Sequence, residues 1–142
     1  MIRKETPIVE KPARTRTITE TGDSGAWAEA ERGGLPVAIA GLHDEGVGLT
    51  AVCTGGMLLA RAGVTHGRPA TTHASARDKF EISGADLVDA WVVGDSDLVT
   101  AGGVTAGLDL AFHLVEREFG DEVARTVATQ MEYDPAEAVV MN

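Results

Sequence analysis

One cysteine, Cys53, and four histidines, His43, His66, His73 and His113, are the side chains of this 142-residue sequence best suited to act as nucleophile, base or metal ligand. Cys53 lies in Leu49-Thr-Ala-Val-Cys53-Thr54-Gly55-Gly56-Met57-Leu58-Leu59, where an apolar run enters and a helix-forming run leaves. A strand–turn–helix of this kind is a nucleophile elbow, which needs small residues close to the nucleophile because strand and helix crowd together at the turn. Ala51 and Gly55, two positions to either side, meet that need. A thiol at a helix N-terminus is drawn toward the thiolate by the helix dipole. The N–H groups of Thr54 and Gly55 can stabilise an oxyanion. The alternative for a lone cysteine is a small buried hydrophobe; the flanking pattern favours the elbow.

His73 ends the short apolar segment Pro69–Thr72 and is the candidate general base or orienter for Cys53. His43, beside Asp44 and Glu45 near a helix end, reads as a cap or a solvent-facing residue. His66 sits in a glycine-bounded loop and reads as exposed, and His113 reads as structural. The spacing of one cysteine and four dispersed histidines fits no metal site. The stretch Ala101-Gly-Gly-Val-Thr-Ala-Gly107 can hold an anion at a helix N-terminus. It lacks the G-x-G-x-x-G spacing of a dinucleotide loop, and close strand–helix packing is the plainer reason for its glycines. Asp109 can serve that site or bond local amides. No cofactor is expected.

Alternating short strands and helices must position these groups. Helices are expected at Ala26–Arg32, capped by Ser24, and at Pro36–Glu45. Val47–Val52 has the length of a buried strand, and Gly55–Ala62 reads as a helix. Pro69–Thr72 reads as a strand and Ala74–Ile82 as a helix. Leu87–Val93 and Leu98–Ala101 read as strands joined by Gly94-Asp95-Ser96-Asp97. Leu108, Phe112, Val115 and Phe119 give Val104–Phe119 a helical period, and a last helix runs from Asp121 to about Glu132. The tail from Tyr133 reads as a docked extended segment. This order predicts an α/β sandwich with a largely parallel sheet.

Hydrophobic residues make up 44% of the chain and aromatics 4%, so the core must be aliphatic. Trp27, Trp91, Phe112 and Phe119 are expected in the core or an interface. The net charge is −10, which argues against nucleic acid or an anionic membrane as partner. Residues 1–22 carry five basic and three acidic side chains and lack periodicity. They read as a mobile arm, with a short strand at Thr15–Thr19. Lysine occurs only at positions 4, 11 and 79, a composition that suits high salt as well as an ordinary acidic protein. One cysteine excludes an intrachain disulfide. No apolar run reaches the roughly 20 residues of a membrane span, and no secretory signal is evident, so the cytoplasm is expected.

Three segments together resemble the ThiJ/PfpI family of the class I glutamine amidotransferase-like superfamily. They are Ala51-Val-Cys-Thr-Gly-Gly56, Gly67-Arg-Pro-Ala-Thr-Thr-His73 and Val99-Thr-Ala-Gly-Gly-Val-Thr-Ala-Gly-Leu-Asp109. The branch with isonitrile hydratases and the amidotransferase-like domains of transcription regulators is the most similar. The resemblance implies a flavodoxin-like three-layer sandwich, a homodimer, and Cys53 as nucleophile with His73 near its pocket. Thr54 then offers its N–H and hydroxyl to the site. Gly102, Gly103, Thr105 and Asp109 open the long helix beside it.

The family domain opens with an apolar strand, an acidic residue that hydrogen-bonds the cysteine, and a Pro-Gly-Gly loop. None precedes Gly25 in this sequence. The expectation is therefore a domain over residues 23–142 that is truncated at its N-terminus, its sheet lacking the first strands, joined to an arm of unrelated sequence. The implied function is a cysteine-dependent hydrolase or hydratase acting on a small molecule with an amide or isonitrile carbon–nitrogen bond. The alternatives are a non-catalytic or redox-responsive protein, or a remnant with uncovered sheet edges.

Overall fold

A computed structural model describes residues 15–20, 23–136 and 139–141, with the backbone alone for 15–20, 23–24 and 139–141. Residues 1–14, most of the expected arm, lie outside the described residues. Thr15–Glu20 form strand β1. Helices α1 (Asp23–Arg32) and α2 (Gly34–Asp44) lead to strand β2 (Gly48–Cys53). Helix α3 (Gly56–Arg61) follows, then β3 (Pro69–Ala70), a 3-10 turn at Ala74–Ala76 and α4 (Arg77–Ile82). Strands β4 (Asp86–Leu87), β5 (Val92–Asp95) and β6 (Leu98–Ala101) precede helices α5 (Ala106–Phe119) and α6 (Asp121–Gln130). Strand β7 (Val139–Met141) closes the order.

Five strands form one sheet in the order β1-β2-β6-β5-β7. All neighbours are parallel except the β5–β6 hairpin. Strand β1 runs in register with β2 from Thr15↔Gly48 to Glu20↔Cys53. Every residue of β2 is buried, as a parallel central strand covered on both faces must be. Leu49 and Ala51 face a cluster with Ile39, Leu58, Leu59 and Leu98, which joins α1, α2 and α3 to the sheet. On the opposite face Val52, Val92, Val99 and Ala101 meet Ala106 and Leu110 of α5. Helices on both faces of a mainly parallel sheet make the three-layer, flavodoxin-like sandwich. Each fully buried leucine among these contributes about 1.5–3 kcal/mol of transfer free energy.

Four expectations need correction. Pro69–Thr72 is a strand only at Pro69–Ala70, because it pairs with β4 in a separate parallel ribbon. Leu87–Val93 is accordingly not one strand: β4 belongs to that ribbon and β5 to the main sheet, and Val88–Trp91 cross between them. The helix expected at Ala74–Ile82 begins as a 3-10 turn. Helix α5 turns Ala106, Asp109, Leu110 and Phe112 inward, leaving Leu108 and Phe119 exposed, because the sheet has room for alanine and leucine at that contact. Among the described residues no helix is long and apolar enough to cross a membrane.

Candidate functional site

The C-terminal ends of parallel strands β2 and β6 lie side by side, and the loops leaving them build the site. This is where open α/β sheets hold their ligands. Side chains of β2 alternate between the two faces until Cys53, which packs with its neighbour Val52 rather than with Leu49 and Ala51. Its backbone is left-handed, at φ 60°. A non-glycine residue held there is strained by about 1–3 kcal/mol and persists only where its surroundings over-determine it.

The surroundings do so through hydrogen bonds at both ends of the residue. The Cys53 N–H donates to the Gly102 carbonyl at 2.8 Å. The Thr72 hydroxyl donates to the Cys53 carbonyl at 2.9 Å. The turn is then closed by Gly55, whose N–H donates to the Val52 carbonyl at 3.1 Å. That bond corrects one expectation: the Gly55 amide belongs to the turn and is not an oxyanion donor. Gly56 is required by close approach, since a Cβ there would lie 3.0 Å from the Thr72 Oγ1.

The same contacts bring the three sequence segments together. A Cβ on Gly102 would meet the carbonyls of Thr72 and Trp91, and one on Gly103 would lie 3.7 Å from the His73 ring. His73 is half-buried beside Gly103. Its Nδ1 accepts hydrogen bonds from the Ser75 N–H at 3.1 Å and the Ser75 hydroxyl at 2.8 Å. The neutral ring therefore carries its proton on Nε2. The His73 Nδ1 is thereby engaged by Ser75, two residues on. Thr54 is fully buried, and its hydroxyl has no hydrogen-bond partner among the described residues. Cys53 itself is buried, with 5% of the residue exposed.

Thr105 is exposed at the start of α5 and makes no side-chain cap. Asp109 is buried, and its carboxylate accepts from the Trp91 indole N–H, the Tyr133 hydroxyl and the Ala136 N–H. Those bonds make it a clamp between α5, the residue before β5 and the segment after α6, in place of the expected ligand contact. Thr72 and Trp91, which hold Cys53 and Gly102, were missed. Thr72 stood inside a quoted segment, but nothing in its type marked a bond to Cys53. No group of three His, Cys, Asp or Glu side chains among the described residues is placed to hold a metal ion. Among the described residues, two of the clefts that lie away from Cys53 are one between α5, α6 and Pro135–Ala136 and one between α1, α3 and α4.

Comparison with known proteins matches residues 22–117 to the model of the DJ-1/PfpI family. Isonitrile hydratase of Pseudomonas putida is 43% identical over 88 residues, covering 62% of this chain and 39% of that protein. The HTH-type transcriptional regulator CdhR of Pseudomonas aeruginosa is 35% identical over 91 residues, covering 63% of this chain and 27% of the regulator. Both relatives are thus much longer than the part this chain spans. A ThiJ/PfpI family protein from Pseudomonas syringae superposes with a TM-score of 0.78 at 32% identity, covering 84% of this chain and 50% of the other. Drosophila melanogaster DJ-1beta shares the fold, with a TM-score of 0.73 at 23% identity over 83% of this chain and 64% of its own.

Proposed function

Because the chain belongs to the DJ-1/PfpI family, we propose that it is a cysteine-dependent enzyme acting at a carbon bonded to nitrogen, with Cys53 as nucleophile. The observation that carries this reading is the left-handed Cys53 held by Gly102 and Thr72 at the meeting point of three loops. Strain of this kind, over-determined by bonds from separate segments, is how a fold keeps a nucleophile aimed. The likeness to isonitrile hydratase makes an isonitrile the first substrate class to test. A terminal isonitrile carbon is linear and slender, which suits a buried cysteine.

The chemistry balances with water alone. The sulfur forms a bond to the terminal carbon and the thiol proton ends on that carbon, giving a thioimidate. Water adds to the carbon, and one of its protons goes to the nitrogen. The carbon–sulfur bond then breaks, the second proton returns to sulfur, and an N-substituted formamide leaves. In this reading the buried Thr54 hydroxyl and the His73 Nε2–H are the donors to the nitrogen as it gains charge. The same thiol can attack an amide carbonyl by acyl transfer.

Alkyl isonitriles incubated with the purified protein should yield formamides by mass spectrometry, and Cys53→Ser should lose at least a hundredfold in rate, as expected for removal of a nucleophile. Equal turnover by Cys53→Ser would overturn the assignment of the nucleophile.

A further inference from the structure

The Cys53 main chain is tied to a residue 38 positions away by two consecutive bonds. The Cys53 N–H donates to the Gly102 carbonyl at 2.8 Å, and the Gly102 N–H donates to the Trp91 carbonyl at 3.0 Å. Trp91 precedes β5, whose first residue, Val92, pairs with Ala101 at the end of β6. The Trp91 side chain is 42% exposed, an unusual place for a large indole to be fixed. It is fixed by its N–H, which donates to the Asp109 Oδ2 at 2.5 Å.

Asp109 is in turn held from the other side. Its Oδ1 accepts from the Ala136 N–H at 2.8 Å and the Tyr133 hydroxyl at 3.2 Å. The Tyr133 ring stacks on Phe112 of the same helix, with centroids 5.3 Å apart and planes 6° from parallel. The segment after α6 continues to β7, which pairs with β5 directly after Trp91. The carboxylate thus joins α5, the loop into β5 and the C-terminal segment, and the Trp91 main chain passes that constraint to the loop that holds Cys53.

We infer that Trp91 and Asp109 are positioning residues for Cys53, acting through the Gly102 main chain, and that Tyr133–Ala136 brace them from the C-terminal side. This rests on the reading of Cys53 as the reactive group, and it adds residues that touch neither sulfur nor substrate. Loss of the Trp91 anchor frees the Gly102 carbonyl to shift, and the left-handed Cys53 relaxes with it. A displacement well under the size of an atom costs a reacting group tenfold or more in rate.

The test reads the thiol itself, so that its result does not depend on turnover. Iodoacetamide alkylation of Cys53 as a function of pH is compared for the wild type, Trp91→Phe, Asp109→Asn and Tyr133→Phe. Trp27→Phe is the control, since Trp27 lies under Lys79 on the other face of the sheet. Trp91→Phe and Asp109→Asn should change the alkylation rate by roughly tenfold, Tyr133→Phe by less, and Trp27→Phe not at all. In turnover, kcat should fall with KM little changed. Tyr133 is the only tyrosine in the chain, so its ultraviolet titration independently reports whether the Asp109 contacts are broken. An unchanged alkylation profile in a variant whose Tyr133 titration has moved would refute the inference. Altered alkylation in a protein that turns over no isonitrile would uphold it while removing the proposed reaction. Should Asp109→Asn fail to fold, Trp91→Phe and Tyr133→Phe carry the same comparison.

Discussion

The Thr72 hydroxyl and the Cys53 carbonyl meet at 2.9 Å in a buried setting, and this bond anchors the elbow from the segment that follows β3. Replacing Thr72 by Val keeps the shape but leaves the Cys53 carbonyl without that donor. An unpaired buried acceptor costs about 1–3 kcal/mol. Urea denaturation of Thr72→Val should show a loss of that size, and Thr72→Ser should recover most of it. A Val variant as stable as the wild type would mean that this bond does not anchor the elbow.

Two helical glycines should respond to alanine with opposite signs. In α2, a Cβ on Gly41 meets nothing within 4 Å, so Gly41→Ala should gain close to the full helix-propensity difference of about 1 kcal/mol. In α3, a Cβ on Gly56 falls 3.0 Å from the Thr72 Oγ1 and 3.4 Å from the Phe80 ring. Overpacking there costs about 1–3 kcal/mol, which outweighs the propensity gain. Thermal midpoints of the two variants should therefore move apart, Gly41→Ala upward and Gly56→Ala downward.

The elbow was legible because it depends on local facts: an apolar run, a cysteine, small neighbours and a helix-forming run in sequence. The bonds that hold it were not. Thr72 reaches Cys53 across 19 positions, and Trp91 acts on Gly102 through its carbonyl, which any residue type supplies. The role of His73 turned on Ser75, two residues on, and serine is too common at turns to be read as a partner. Helix α5 shows why period alone misled. Four apolar residues mark one face, yet the sheet contact is made by Ala106 and Leu110, and Phe119 extends beyond it. Strand β1 is a polar run, Thr-Arg-Thr-Ile-Thr-Glu, and becomes a strand through its pairing with β2.

Thr54 separates stability from function. Its hydroxyl is fully buried and has no partner among the described residues, so in the resting protein it contributes desolvation cost without a bond. Thr54→Val removes that cost at nearly constant volume and should leave the urea midpoint unchanged or slightly higher. If the hydroxyl donates to substrate, the rate should fall by about a hundredfold, as for loss of one oxyanion donor. A variant that is destabilised yet fully active would place the hydroxyl in an internal bond instead.

Acid stability should depend on His113. Burial lowers its pKa, the Arg117 charge lowers it further, and Glu116 opposes them weakly, so the net shift is downward from 6.5. Its Nε2 is buried without a partner among the described residues. The folded state therefore favours the neutral ring. The resulting stability is fully present above about pH 6.5, the unfolded value, and is lost as pH falls through the lower folded value. His113→Gln has no proton to gain. Asp109, Glu116, Asp121 and Arg125 line the same cleft, so both proteins share whatever those groups contribute. The urea midpoint of the wild type should decline more steeply than that of His113→Gln below pH 6.5. Between pH 7.5 and 9 the two curves should run parallel. Curves that stay parallel down to pH 4.5 would show that His113 protonates as easily in the folded protein as in the unfolded chain.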